Sequence, residues 1–95
     1  PIVPILTFKN FEEVIERANN NDLGLCSYIY TNDLKKATRA SEMMETGCVA
    51  VNTAAVAVAE APFGGIKQTG YGREGGSMAI KDYLNIKYTH FGISY

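Results

Sequence analysis

An α/β fold built on a parallel sheet is predicted by three features of the sequence. Short runs of branched apolar residues alternate with segments whose apolar residues recur every three or four positions, and the connections between them are only a few residues long. Turn-forming Asn and Gly fall at the joints. Strand, helix, strand, helix, strand in such close succession is the signature of right-handed crossovers in a parallel sheet.

The elements follow in order. Ile2 to Phe8 is rich in branched residues and reads as a strand, with Pro4 confining it to an edge or a late start. Asn10 is placed to cap a helix with Glu13 as its capping-box partner, and Phe11, Val14, Ile15 and Ala18 share one face. Asn19 to Asn21 and Gly24 supply the stop, since these residue types tolerate a left-handed closing turn. Leu25 to Thr31 is the second strand. Asn32 or Asp33 caps the second helix, which turns Leu34, Ala37 and Met44 to one side, and Gly47 is expected at its end before a short strand from Cys48 to Asn52. Residues 53–76 hold six of the 9 glycines and follow neither period, the pattern of a long functional loop. Ser77 to Leu84 reads as a short helix with Ile80, Tyr83 and Leu84 on one side, and Ile86 to Tyr95 as a last, aromatic-rich strand.

Composition narrows the function. The 95 residues are 46% hydrophobic and 20% charged, as in a globular domain or part of one, and exclude a disordered or collagen-like chain. A formal net charge of -1 leaves no surplus to neutralise a phosphate backbone or an anionic leaflet, so neither nucleic acid nor a membrane surface is an expected partner. The apolar runs are short against the roughly 20 residues of a membrane span. No leader opens the chain, so a cytoplasmic location is expected; the abrupt start at Pro1 suggests a segment of something longer. A chain of this size buries too little surface to be robust alone, and a packing partner is expected.

Chemistry-bearing residues are sparse. Cys26 and Cys48 each sit in an apolar stretch without a second Cys or His at ligand spacing, and read as buried small hydrophobes; no metal site is expected. His90, the single histidine, has no carboxylate or thiol close in sequence and reads as solvated or at an interface. Gly70 to Gly75 spells G-x-G-x-x-G, but Lys67, Gln68 and Thr69 precede it where a strand is needed, and no acidic residue follows at ribose distance. Gly65 to Gly70 has P-loop spacing, but Tyr71 stands where the phosphate-binding lysine belongs. The remaining reading is a backbone freed to make positive-φ turns along a neighbouring surface, either as a structural clamp or as one wall of an active site.

The run Pro62 to Gly76, PFGGIKQTGYGREGG, closely resembles the C-terminal signature of the aldehyde dehydrogenase superfamily, P-F-G-G-x-K-x-S-G-x-G-R-E, with Thr69 in place of the usual Ser. PIVPILTF is similar to the segment after the family's E-x-F-G-P motif, NNNDLGLCSYIYTND to its A-N-x-x-x-Y-G-L-x-x-x-V-F-T-x-D region, and GCVAVN to its G-x-V-x-V-N strand. The wording around APFGG resembles the succinate-semialdehyde dehydrogenase branch most. The resemblance implies that residues 1–84 form the C-terminal part of the catalytic domain, with 53–76 as a pocket loop, and that residues 85–95 form an oligomerisation strand.

It also implies a parent oxidoreductase in which a Cys thiolate attacks an aldehyde, the adduct loses hydride to NAD or NADP, and a Glu-activated water releases the acid. The family's nucleophile sits in a G-Q-x-C setting that neither Cys26 nor Cys48 matches, and the cofactor-binding fold has no counterpart here. The 95 residues alone are therefore expected to bind no cofactor and to be inactive. What the resemblance transfers is secondary. Phe63 matches a pocket-lining aromatic, and Ala57 the residue at the distal end of the substrate. Glu74 matches a carboxylate implicated in proton relay, although a surface ion pair with Arg73 or Lys67 would read the same. Arg73 matches an interface arginine, while Asn52 and Lys67 read as structural. Tyr88 and Phe91 belong to the oligomerisation strand of a homo-oligomer. The apolar Ala57 and Val58 stand where semialdehyde enzymes carry a serine that anchors the substrate carboxylate. The alternative is a non-catalytic assembly module derived from the same family.

Overall fold

Local side-chain acceptors decide where the helices begin. In the computed structural model, which describes residues 1–94, Asn10 is extended at φ -148 and its Oδ1 accepts the Glu13 amide, starting helix α1 (Phe11–Asn19). The Glu13 carboxylate returns to the Lys9 amide at 2.9 Å, one residue before the cap itself. A two-residue strand β1 (Leu23–Gly24) and strand β2 (Cys26–Ile29) follow. Asp33 then accepts the Lys36 amide to cap helix α2 (Leu34–Met43). Strand β3 (Cys48–Val51), strand β4 (Ile66–Lys67) and a single 3₁₀ turn (Ala79–Tyr83) complete the order.

Strands β2 and β3 pair in parallel, Cys26 against Cys48 through Ile29 against Val51, with α2 as the crossover between them. The expected α/β unit is therefore present once. The strand expected over Ile2 to Phe8 does not form: these residues run outside any sheet, Ile2 and Ile5 each at 87% exposure. A strand exists only by pairing, and Pro4 removes one of the donors that pairing needs. The last strand fails likewise. Residues 84–94 are unpaired, with Tyr88 and Phe91 exposed, and Tyr95 lies outside the described residues.

The asparagines end α1, but not by a left-handed turn. Asn20 has φ -78. Asn19 instead reaches the end of α2, donating from Nδ2 to Met43 O at 2.8 Å and accepting the Glu45 amide at Oδ1 at 2.9 Å. Asn21 folds on itself, donating to Ala18 O and accepting the Leu23 amide, both at 2.8 Å. Gly47 does not close α2 in a left-handed turn either; α2 ends at Met44 in an extended conformation. Its lack of a side chain serves packing, because a Cβ at Gly47 would strike the Gly64 carbonyl.

The core is small. Ile15, Ala37, Ala40 and Ala50 are buried, and the small alanines let α2 sit close on the sheet. Leu34, expected on that face, is exposed at the first position of its helix. Asn52, at φ 55, extends the β2–β3 pair beyond its last strand residues. Its side chain accepts the Thr31 amide and donates to Thr31 O, both at 2.9 Å. Among the described residues, no helix is long and apolar enough to cross a membrane.

Candidate functional site

The glycine-rich segment is not the structureless loop that its lack of period predicts. It turns back on itself at Phe63 and Glu74, whose backbones exchange hydrogen bonds: Phe63 N–H donates to Glu74 O at 2.7 Å and Glu74 N–H to Phe63 O at 2.8 Å. Gly76 N–H closes a further turn on Ala59 O at 2.8 Å. The turns are made at positive φ by Gly70 (115), Gly72 (91), Gly75 (73) and Gly76 (63), conformations that cost an L side chain about 1–2 kcal/mol each. The fold-back encloses an open cleft of about 320 Å³ whose walls include Phe63, Tyr71, Arg73, Glu74 and Asp82.

Arg73 fastens this cleft from inside. Its Nη1 donates to Gly65 O and to Gly72 O, each at 2.8 Å. Its backbone N–H donates to the Asp82 carboxylate at 2.7 Å, which ties the glycine loop to the 3₁₀ turn. Half of this clamp was invisible in the sequence, since nothing in the spacing of Asp82 marks it as an acceptor for a backbone amide nine positions away.

Three contacts lock the loop to the folded body. Strand β4 pairs antiparallel with β1, Leu23 against Lys67 and Gly24 against Ile66. Thr69 Oγ1 accepts the Gly24 amide at 2.8 Å, at a buried position. Lys67, strained at φ 56, places Nζ 2.7 Å from the Glu45 carboxylate and donates to Asn19 O at 2.8 Å and Asn21 O at 3.2 Å. Its ionic partner is thus Glu45 and not Glu74.

The structure brings Phe63, Arg73 and Glu74 to one cleft. It does not bring Ala57 there: Ala57 is exposed in irregular chain before the fold-back. Tyr88 and Phe91 lie on the projecting tail, and His90 is exposed beside Tyr88, whose hydroxyl is 3.2 Å from Nδ1. The Gly70–Gly75 run follows a tight turn and leads into the Phe63–Glu74 bridge, so its amides do not sit at the strand-to-helix junction that cradles a pyrophosphate. The two cysteines, far apart in sequence, face each other across β2 and β3. Burial, reinforced by the neighbouring Cys48, pushes the Cys26 thiol above its ordinary 9.0, and Tyr28 offsets part of that rise. A larger hollow of about 540 Å³ lies between α1, α2 and β2, walled by Phe11, Ile15, Ile29 and Met44. Its walls also carry Tyr28, Tyr30 and Lys36.

The family model described as aldehyde dehydrogenase family matches residues 1–89. The chain is 50% identical over 92 residues to 3-sulfolactaldehyde dehydrogenase of Pseudomonas putida, an alignment covering 97% of this chain and 19% of that protein. It is 47% identical over 92 residues to succinate semialdehyde dehydrogenase of Acinetobacter baylyi, again 97% of this chain and 19% of the relative. Among solved structures, succinate-semialdehyde dehydrogenase from Burkholderia pseudomallei superposes with a TM-score of 0.82 at 43% identity, over 86% of this chain and 17% of that one. The NAD+ complex of an aldehyde dehydrogenase from Bacillus cereus superposes at 0.87 and 42% identity, over 92% and 18%. The chain therefore spans about one fifth of the length of the curated relatives it matches.

Proposed function

The chain belongs to the aldehyde dehydrogenase family, and from that premise we propose that it is the C-terminal part of the catalytic domain of an NAD(P)-dependent enzyme oxidising a short aldehyde that carries a distal anion. The observation that carries this reading is the Phe63–Glu74 fold-back, which sets an aromatic ring, an arginine clamp and a carboxylate around one cleft. The substrate class follows from the names of relatives: sulfolactaldehyde, succinate semialdehyde and glutarate semialdehyde are all aldehydes ending in a sulfonate or carboxylate. Such an anion is stabilised only by charge-assisted donors, since an unpaired buried charge costs several kcal/mol. The exposed, apolar Ala57 and Val58 offer none, so those donors belong to other parts of the longer protein.

In this reading Phe63 is a pocket wall that desolvates the aldehyde, and Glu74 passes protons between water and the general base. Hydride acceptance by a nicotinamide depends, in the same reading, on residues outside the 95, as do the thiolate nucleophile and the base. Location in the cytoplasm and assembly as a homo-oligomer complete the proposal.

The test compares succinate semialdehyde with butanal, an aldehyde of equal length lacking the carboxylate, for the longer protein carrying this segment, followed as nicotinamide reduction with NAD+ and with NADP+. The expected result is a higher kcat/KM for the anionic aldehyde, and no turnover by the 95 residues alone. Equal kcat/KM for both aldehydes would remove the distal anion from the proposal. Failure to oxidise either would remove the enzyme and leave an assembly module.

A further inference from the structure

We propose that Asp82 is a positioning residue for the Glu74 carboxylate, acting through the Arg73 amide, and that it thereby governs how fast the acid product is released. The inference rests on the proton-passing reading of Glu74 given above. Arg73 and Glu74 form a two-residue island between glycines: Gly70 and Gly72 precede them and Gly75 and Gly76 follow, all four at positive φ. Such backbone is not held by its own sterics, because glycine exchanges left- and right-handed conformations at little cost. The direction in which Glu74 leaves the chain therefore depends on hydrogen bonds.

Among the described residues, the bonds made by residues 70–76 are of two kinds. Most return to the glycine segment: Glu74 exchanges both backbone groups with Phe63, Gly70 N–H donates to Lys67 O, Gly76 N–H to Ala59 O, and Arg73 Nη1 to Gly65 O and Gly72 O. These fix the segment against itself. One bond leaves it, from Arg73 N–H to Asp82 Oδ2 at 2.7 Å, and fixes the segment against the 3₁₀ turn. Three successive peptide planes around Glu74 are thus held, two by Phe63 and the first by Asp82. That first plane follows Gly72, and its carbonyl is met by the Arg73 guanidinium alone. The fit is close, since a Cβ at Gly72 would stand 2.9 Å from Asp82 Oδ2. A carboxylate is a strong acceptor for an amide, and the Arg73 guanidinium is turned to Gly65 O and Gly72 O. Asp82 therefore acts on the backbone and not as an ion-pair partner, and a reacting side chain is placed well only when its supports are fixed in this way.

The test uses the longer protein carrying this segment, with succinate semialdehyde, and follows nicotinamide reduction. A misplaced proton-passing carboxylate slows release of the acid by water and leaves the oxidation before it intact. Asp82→Ala should therefore lower kcat about ten-fold and keep kcat/KM within about two-fold, with a burst of reduced nicotinamide before the steady state. Asp82→Leu, near in size but without an acceptor, should behave alike. Asp82→Asn, whose amide oxygen still accepts from Arg73, should keep kcat within about three-fold of the unsubstituted enzyme. In a Glu74→Gln background, itself slowed about 100-fold, Asp82→Ala should lower kcat no further. Unchanged kcat in Asp82→Ala and Asp82→Leu, an equal loss in kcat and kcat/KM, a loss in Asp82→Asn as large as in Asp82→Ala, or losses that multiply in the double variant would each overturn the role of Asp82. Full kcat in Glu74→Gln would instead overturn the proton-passing reading, and the inference with it.

Discussion

Thr69 replaces the serine usual in the motif it belongs to, and its contact explains why the hydroxyl is retained. Oγ1 accepts the amide of buried Gly24. Thr69→Val should therefore leave that N–H unsatisfied and cost about 1–3 kcal/mol, while Thr69→Ser should be close to neutral; midpoints of urea unfolding for the two variants check this. A second expectation concerns Cys26. Its pKa is raised in the fold, so the folded state keeps that proton longer than the unfolded state does. Its contribution to stability is fully present below the ordinary value of 9.0 and is lost as pH rises from there through the folded pKa. Cys26→Ala should accordingly flatten the fall in unfolding midpoint above pH 9.0 relative to the unsubstituted chain. At this scale legibility depended on distance along the chain. Asn10 with Glu13, and Asp33, were readable because a cap and its amide are three residues apart. Asn19, whose partners are Met43 and Glu45, was readable only as a helix stop, because the residues it serves are brought near by α2.

Both long helices were legible from their apolar period, and so was the β2–α2–β3 crossover, because branched strands flank it and the turns are short. The outer strands were not, since an apolar run states a propensity to pair and says nothing of whether a partner is present. The glycine segment departs from its sequence pattern in the opposite direction. Periodicity cannot detect a strand of two residues or an isolated bridge, so β4 and the Phe63–Glu74 pair were hidden in what read as loop. What orders this segment is a set of single contacts, of which the Asp82 carboxylate on the Arg73 amide is the shortest tie to the 3₁₀ turn. A hydrogen bond to a charged acceptor is worth about 1.5–3 kcal/mol. Asp82→Ala should therefore accelerate hydrogen exchange at the Arg73 amide by about ten-fold or more, while the Phe63 and Glu74 amides, each donating to the other residue's carbonyl, should change far less. Per-residue exchange by NMR reads all three, and an unaltered Arg73 rate would mean that Asp82 does not hold the loop.

Taken whole, the molecule is far from the shape its length would give a self-sufficient domain. The radius of gyration is 19.1 Å, where a compact chain of this length would have about 12 Å, and the longest extent is 75 Å against 27 and 26 Å across. Both ends project, and they carry Ile2, Ile5, Tyr88 and Phe91 into solvent. Apolar side chains on unpaired, extended backbone are a template for another chain, because both the hydrogen-bonding groups and the side-chain faces are unsatisfied. The formal net charge of -1 opposes association very little. Lys87 is the one Lys or Arg of the tail beyond Leu84 that could keep two such strands apart. The tail is therefore expected to drive self-association, in keeping with the oligomerisation strand that the family resemblance assigns to residues 85–95. Sedimentation equilibrium at micromolar concentration on chains ending at Leu84 and at Tyr95 separates the contributions of the two ends. A larger mass for the longer chain alone assigns association to the tail, and association of both assigns it to the Ile2–Phe8 arm or the uncovered helix face. The same monomeric mass for both would mean that neither projecting end pairs with a second copy.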